Sequence, residues 1–366
     1  VSKSPFLAQG SGSRRARKLA RRRRARRRAL AATALVLVAA AVAVLAGLVH
    51  TDATHGSATA SSRAHGRAHA HGSATTTERP DRSPAGLTLG RPPLALDLSG
   101  SDDPVQASFQ RPPRAGVLFD LHSGRVLWQL NPLEHLHMAS LTKLMTALRV
   151  VRSTTPTTPI LVTREAVEAA GSKVGVLPLG KRVPAETMLY GLLLPSGNDA
   201  AMALAQHVSG SAGAFVEGMN AEAARLGLGC THYSSPSGYV NARNYTCAAD
   251  LAELAYVDIH QPRIAQIVRS AEAVLPFPIK GGKLYLYNNN PLLVYGYPGA
   301  TGMKTGYTEL AGDCLVATAE RDGVSLGVVL LDSPDMGRQA EYLLNAGFAD
   351  VYHQRLIASE QVPEGR

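Results

Sequence analysis

The chain has 366 residues, three cysteines and a formal net charge of +10. Such a length holds one large domain or two ordinary ones. The charge is local: eleven Arg and Lys lie between Arg14 and Arg28 and Lys3 makes twelve, so the remainder stands near −2, which sets nucleic-acid binding aside for everything beyond the basic arm.

Residues 1–28 form that arm, read as a cytoplasmic topology signal that can also touch anionic lipid. It runs straight into an uncharged apolar stretch, 29–49, "ALAATALVLVAAAVAVLAGLV". About 20 apolar residues are enough to cross a bilayer, and the positive flank stays in the cytoplasm. The reading is a membrane anchor with the rest of the chain outside, and a cleavable signal peptide with small residues near Ala46 is the alternative.

Residues 50–103 are rich in Ala, Ser, Thr, Gly, Pro, His and Arg without apolar periodicity, which predicts a flexible linker. His65, His69 and His71 sit in it without Cys or carboxylate partners, and read as solvated rather than metal-binding.

The predicted folded part is 104–352, with a tail over 353–366. It opens on "AGVLFDLHSGRVLWQLN", two apolar runs joined by a turn, which predicts a β-hairpin. Helical segments follow at Leu141–Val151, around Ala185–His207, at Ala212–Leu226 and at Ala248–Val257. A second hairpin, "DCLVATAERDGVSLGVVLLD", turns near Asp322 and Gly323, and a last helix runs from Arg338 to about Asn345. Strands at both ends with helices between them predict an α+β fold, an antiparallel sheet closed by the two ends with a helical part packed against it.

The first helix begins with "ASLTK". Its apolar residues Leu141, Leu144, Met145, Leu148 and Val151 define one stripe, and Ser140 and Lys143 share a face off it, because residues three apart on a helix are neighbours. A serine becomes a nucleophile when a neighbouring base takes its proton, and a lysine can do so once burial or a nearby charge leaves it neutral. The helix N-terminus offers backbone N–H groups to an oxyanion. Alone the pair is a weak signal, equally an N-cap serine with a solvated lysine.

Further on, "PSGN" at Pro195–Asn198 either caps a helix or aims Ser196 and Asn198 into a cleft. Cys230 and Cys247 flank a Tyr/Ser/Asn-rich loop, while Cys314 lies in an apolar strand; an oxidising compartment permits a Cys230–Cys247 disulfide. The triplet "KTG" at Lys304–Gly306 supplies a cation, a hydroxyl and a side-chain-free position along which a ligand can lie. The ordered set SxxK, SxN, KTG is a far stronger signal than any member.

On these motifs, and on "LLPSGNDAAMALA", "SSPSGY", "NNNPLL", "GMKTGYTELAGDCLVATA" and "GRQAEYLLNAGF", the sequence resembles the D-alanyl-D-alanine carboxypeptidases, the low-molecular-mass penicillin-binding proteins. The resemblance implies a penicillin-recognising, β-lactamase-like serine transferase fold with a helical subdomain. It also implies a peptidoglycan stem peptide as substrate, β-lactams as acylating inhibitors, and no metal or cofactor. Ser140 would attack with Lys143 as base, Ser196 would relay a proton, and Asn198 would hold a substrate amide. Lys304, Thr305 and Gly306 would bind the terminal carboxylate, and the amides of Ser140 and Tyr307 would form the oxyanion hole. Arg338 would assist with the carboxylate, or else cap the sheet edge or pair with Glu341.

Many relatives carry a C-terminal β-rich domain and anchor, whereas here the N-terminal segment is expected to serve as the tether. A β-lactamase, a transpeptidase or endopeptidase, and a silent wall-binding protein are the alternatives. The first needs a deacylating glutamate, and Glu217 and Glu222 read instead as a helix surface.

Overall fold

In the computed structural model of the protein, which describes residues 81–99, 103–239, 243–278 and 282–353, the regular structure begins with the hairpin expected from the sequence. Strands β1 (Ala115–Asp120) and β2 (Val126–Leu130) pair antiparallel, and between them Asp120 Oδ1 accepts hydrogen bonds from the amides of His122 and Ser123. An Asp that bonds the backbone just ahead of it shapes the turn by itself.

A short β3 (Leu136–His137) leads into the 3-10 turn Ala139–Thr142 and helix α1 (Lys143–Ser153). Then come β4 (Pro159–Leu161), α2 (Arg164–Glu168), β5 (Arg182–Pro184), α3 (Ala185–Leu193), α4 (Asn198–Ser209), α5 (Ala212–Arg225), β6 (Tyr245–Thr246), α6 (Ala248–Ile259) and α7 (Pro262–Val268). A hairpin of β7 (Glu272–Pro276) and β8 (Lys283–Tyr287) and the short α8 (Pro291–Val294) precede the long strands β9 (Ala300–Thr308), β10 (Gly312–Arg321) and β11 (Val324–Leu331). Helix α9 (Met336–Ala346) follows.

The main sheet is antiparallel in the order β2-β1-β11-β10-β9, so the first and last hairpins of the fold are joined side by side. Side chains alternate between its faces. Val117, Phe119, Val316, Val329 and Leu331 enter one core with Leu144, Leu148, Leu204 and Leu251 of the helical part. Leu118, Leu315, Val328 and Leu330 enter a second core with Leu343 and Leu344 of α9. Strands covered on both faces read as near-continuous apolar runs, and this is the α+β architecture of a sheet flanked by helices.

Helix α1 is buried on nearly every side, Lys143 and Thr146 included, so the single apolar stripe read from its sequence understates its burial. A central helix has neighbours all round it. The segment 185–207 is two helices, α3 and α4, separated at Leu194–Gly197, where Ser196 takes φ +66°.

The expected flexible linker is corrected over its C-terminal part. Leu94 and Leu96 are buried in the first core, and their amides donate to the two carboxylate oxygens of the buried Glu253 on α6, at 2.8 and 3.0 Å. The Gly90 amide donates to Ala224 O at 2.8 Å. Residues 81–98 are therefore a strap laid on the domain. Its alternating "LALDL" supplies two leucines for the core, a local pattern that the surrounding Gly, Pro and Arg obscure.

The basic arm 1–28, the apolar segment 29–49, the linker residues 50–80 with His65, His69 and His71, and the tail from 354 lie outside the described residues. Among the described residues no helix is long and apolar enough to cross a membrane.

Candidate active site

The 3-10 turn at Ala139–Thr142 presents Ser140 at the mouth of a cleft of about 460 Å3. Ala139 has φ +46°, and its carbonyl accepts a hydrogen bond from Thr142 Oγ1 at 2.8 Å. Asn244 Nδ2 donates in turn to Thr142 Oγ1 at 2.6 Å. The turn is thus held from below while Ser140 stays half-exposed.

Lys143 is fully buried, with Nζ 2.8 Å from Ser140 Oγ, 2.7 Å from Asn198 Oδ1 and 2.8 Å from Ser237 O. Burial drives its pKa well below that of an ordinary amine, the charge of Lys304 acts in the same direction, and Asp199 opposes both. A neutral amine has two N–H groups and one lone pair. The carbonyls of Asn198 and Ser237 can only accept, so they take the two N–H groups and the lone pair faces the Ser140 hydroxyl. The arrangement is a serine with a base in hydrogen-bond reach.

Ser196 and Asn198 come from the break between α3 and α4. Asn198 donates from Nδ2 to Ala170 O at 2.6 Å while its Oδ1 meets Lys143. Its Oδ1 thus positions the lysine, while Nδ2, which carries two N–H groups, gives one to Ala170 O and has a second to offer at the cleft that Asn198 lines. Ser196 is buried, and its Oγ has no hydrogen-bond partner. A buried hydroxyl left unpaired on a left-handed backbone is a feature that folding alone does not select.

Lys304, Thr305 and Gly306 lie on β9, whose outer edge carries no further strand in this sheet. Lys304 is buried, donates to Thr305 O at 2.8 Å, and burial pushes its pKa down to about 7. A Cβ on Gly306 would stand 2.9 Å from Ser140 N and 3.0 Å from Met138 O. Only a glycine lets the strand pass that close to the serine turn. Tyr307 follows, its side chain exposed on the cleft wall.

Among the described residues, Arg338 makes no hydrogen bond or ion pair with Lys304 or Thr305. It sits at the start of α9, where its amide donates to the Asp335 cap and its guanidinium stands 3.8 Å from the Asp335 carboxylate. It lines a separate groove with Arg111 and Tyr342. Glu217 is exposed on α5, and Glu222 pairs with Arg152 and Arg225, so neither faces Ser140.

The cleft also uses residues that sequence reasoning gave no role. Gly238, at φ +75°, would place a Cβ 1.9 Å from Ala139 O, so the "SSPSGY" loop can pack on the serine turn only with glycine there. That packing delivers Ser237 O to Lys143. Gly171, Ser172 and Tyr239 line the opposite wall, and Asp199 fixes that loop by accepting from the amides of Val174 and Gly175. A backbone carbonyl has no signature in residue type, whereas Asp199, adjacent to "SGN", was in plain view.

Residues 105–335 match the family model described as D-alanyl-D-alanine carboxypeptidase. A D-alanyl-D-alanine carboxypeptidase of Bacillus subtilis is 32% identical over 64% of this chain, and one of Mycobacterium tuberculosis is 35% identical over 65% of it. The chain spans 61% of the length of the first and 83% of the second. A D-alanyl-D-alanine endopeptidase of Pseudomonas aeruginosa is 33% identical over 66% of this chain and 80% of its own. Among solved structures, a serine-to-alanine variant of a Streptomyces DD-transpeptidase superposes with a TM-score of 0.62 at 29% identity, covering 66% of this chain and all of that one. A Mycobacterium tuberculosis D-alanyl-D-alanine carboxypeptidase gives a TM-score of 0.62 at 32% identity, over 67% and 94% of the two chains.

Proposed function

Because the chain belongs to the D-alanyl-D-alanine carboxypeptidase family, we propose that it is a serine-type carboxypeptidase removing the terminal D-Ala from peptidoglycan stem peptides, and that β-lactams acylate the same serine. The observation that carries this is the Lys143 amine 2.8 Å from Ser140 Oγ, with its other two partners restricted to accepting.

In the proposed reaction the terminal carboxylate of the peptide rests on Lys304 and Thr305, at the free edge of β9. Ser140 Oγ attacks the carbonyl of the penultimate D-Ala as its proton passes to Lys143 Nζ. The amides of Ser140 and Tyr307 take the oxyanion, a device in which each donor is worth roughly 10²–10³ in rate. The C–N bond then breaks, and the proton reaches the leaving amine through Ser196, whose unpaired hydroxyl stands in the same turn as Asn198. Water hydrolyses the resulting ester and restores Ser140. Transfer to an amine acceptor differs only in what attacks the ester, and the likeness to a DD-transpeptidase favours it as the second reading.

The localisation follows the same reading. Residues 29–49 anchor the protein, the arm 1–28 stays in the cytoplasm, and the enzyme works outside, where a disulfide between Cys230 and Cys247 can form.

The deciding experiment is D-alanine release from a stem-type pentapeptide by the chain from Asp81 onward, beside Ser140→Ala. Release should fall by more than about 10³-fold in the variant, and covalent labelling by a fluorescent penicillin should vanish with it. Labelling that persists in Ser140→Ala would remove Ser140 as the nucleophile. Labelling of the parent without release, but with transfer when an amine is added, would favour the transpeptidase.

A further inference from the structure

The ribbon of β7 and β8 has two unlike faces. Leu284 and Leu286 enter the first core and Ala273 and Leu275 pack against it, while the alternate residues Glu272, Val274, Pro276, Lys283, Tyr285 and Tyr287 are all exposed. Val274 is 51% exposed, Tyr285 59% and Tyr287 62%, so three large apolar side chains lie side by side on a surface that folding leaves to solvent. None of the six lines the cleft at Ser140.

The register of the two strands sets the pattern on this face. Val274 stands opposite Tyr285 at its centre, Glu272 opposite Tyr287 at one end and Pro276 opposite Lys283 at the other. The two charges therefore occupy diagonal corners about 14 Å apart along the strands, too far to pair within one chain, and among the described residues neither side chain has a hydrogen-bond or ion-pair partner. Two such ribbons can face one another with their strands aligned, as packed sheets do, about either of two twofold axes. An axis along the strands sets Glu272 beside the partner's Glu272 and Lys283 beside the partner's Lys283. An axis across the strands instead carries Glu272 to the partner's Lys283 and keeps Val274 and Tyr285 at the centre. Like charges exclude the first arrangement and opposite charges favour the second.

We propose that the outer face of the β7–β8 ribbon is a docking surface for a second copy of this chain, related by a twofold axis across the strands, with Glu272 meeting the partner's Lys283 at each end of a centre made by Val274 and Tyr285. The methylene stem of each lysine lies on the tyrosine at position 287 of the other copy while its ammonium reaches the carboxylate. Six side chains on each copy make a patch smaller than the roughly 800 Å2 per partner of a stable complex, so the association is reversible.

The test measures self-association of the full chain in non-ionic detergent by sedimentation over a concentration series. Association through any other part of the chain is common to all variants, so the differences between them carry the answer. Tyr285→Asp, which puts a charge at the centre, should weaken association by at least about tenfold. Glu272→Lys and Lys283→Glu should each weaken it by about tenfold, because the symmetry turns two exposed ion pairs into two repulsions. The double variant Glu272→Lys/Lys283→Glu should return to the parent value, and high salt should narrow all the charge effects. Every substitution is at an exposed side chain, so the Tm should stay that of the parent, which separates a lost contact from a lost fold. A parent that stays monomeric, single variants that associate like the parent, or a double variant as weak as the singles would each overturn the proposal. So would Tyr285→Asp that associates like the parent but loses binding to insoluble peptidoglycan, since the face would then serve a polysaccharide.

Discussion

Lys143 and Lys304 are two buried amines in one site, and the charge on one disfavours the charge on the other. In the proposed mechanism the first must be neutral to take the serine proton, and the second must be charged to hold a carboxylate. The profile of kcat/KM against pH should therefore be a bell whose alkaline limb lies near the Lys304 value of about 7. Lys304→Gln should remove that limb and move the acid limb to higher pH, since Lys143 then holds its proton more tightly. An acid limb that does not move would show that the two amines are not coupled.

Stability has the same sign. An unfolded lysine binds its proton up to about 10.5, whereas folded Lys304 releases it near 7, so the unfolded state holds more protons between those values. The unfolding free energy should rise with pH across that window and be lowest below about 7. At this scale the pairing of Ser140 with Lys143 was legible from a three-residue spacing. The contact of Asn198 with Lys143 was not, because the partners of its amide, Ala170 and Lys143, come from distant segments.

Among the elements, the strap at 81–98 bears most directly on how the domain is held together. It buries Leu94 and Leu96 and supplies two amide donors to the Glu253 carboxylate. Each buried leucine contributes about 1.5–3 kcal/mol, and a buried carboxylate deprived of donors costs about 1–3 kcal/mol more. A chain beginning at Asp103 should be less stable to urea than one beginning at Asp81 by at least about 3 kcal/mol. Equal midpoints and slopes would mean that the strap is a passive covering. Composition identified this stretch as linker because its few leucines are diluted, and only the groove beside α6 gives them a place.

Across the molecule, the sheet and the helical part meet at the cleft, and the loop that reaches Lys143 through Ser237 O is closed by Cys230 and Cys247, with Cα atoms 5.6 Å apart and a sequence separation of 17. A loop of that length constrains the unfolded chain by about 3 kcal/mol. Reduction should lower the Tm by roughly 6–12 °C for a domain of this size and slow penicillin acylation, because the Ser237 carbonyl loses its support. A Tm indifferent to reductant would show that the loop is held by its packing alone. For the anchor, a reporter active only outside the cytoplasm, fused after Val49, should give a signal; silence there with activity in the cytoplasm would overturn the proposed topology.

Sequence by itself determined the first and last hairpins, four helical segments between them, the α+β class and the ordered motifs, because each rests on local periodicity or on residues a few positions apart. Only the tertiary structure decided that the first and last hairpins share a sheet, that Ser237 lends a carbonyl to Lys143, and that Arg338 stands beside the Asp335 carboxylate. It also decided that Leu94 and Leu96 belong to the core. Those outcomes depend on which surfaces meet when the chain closes, and burial, backbone carbonyls and the pKa values of paired amines are properties of that meeting rather than of any residue type.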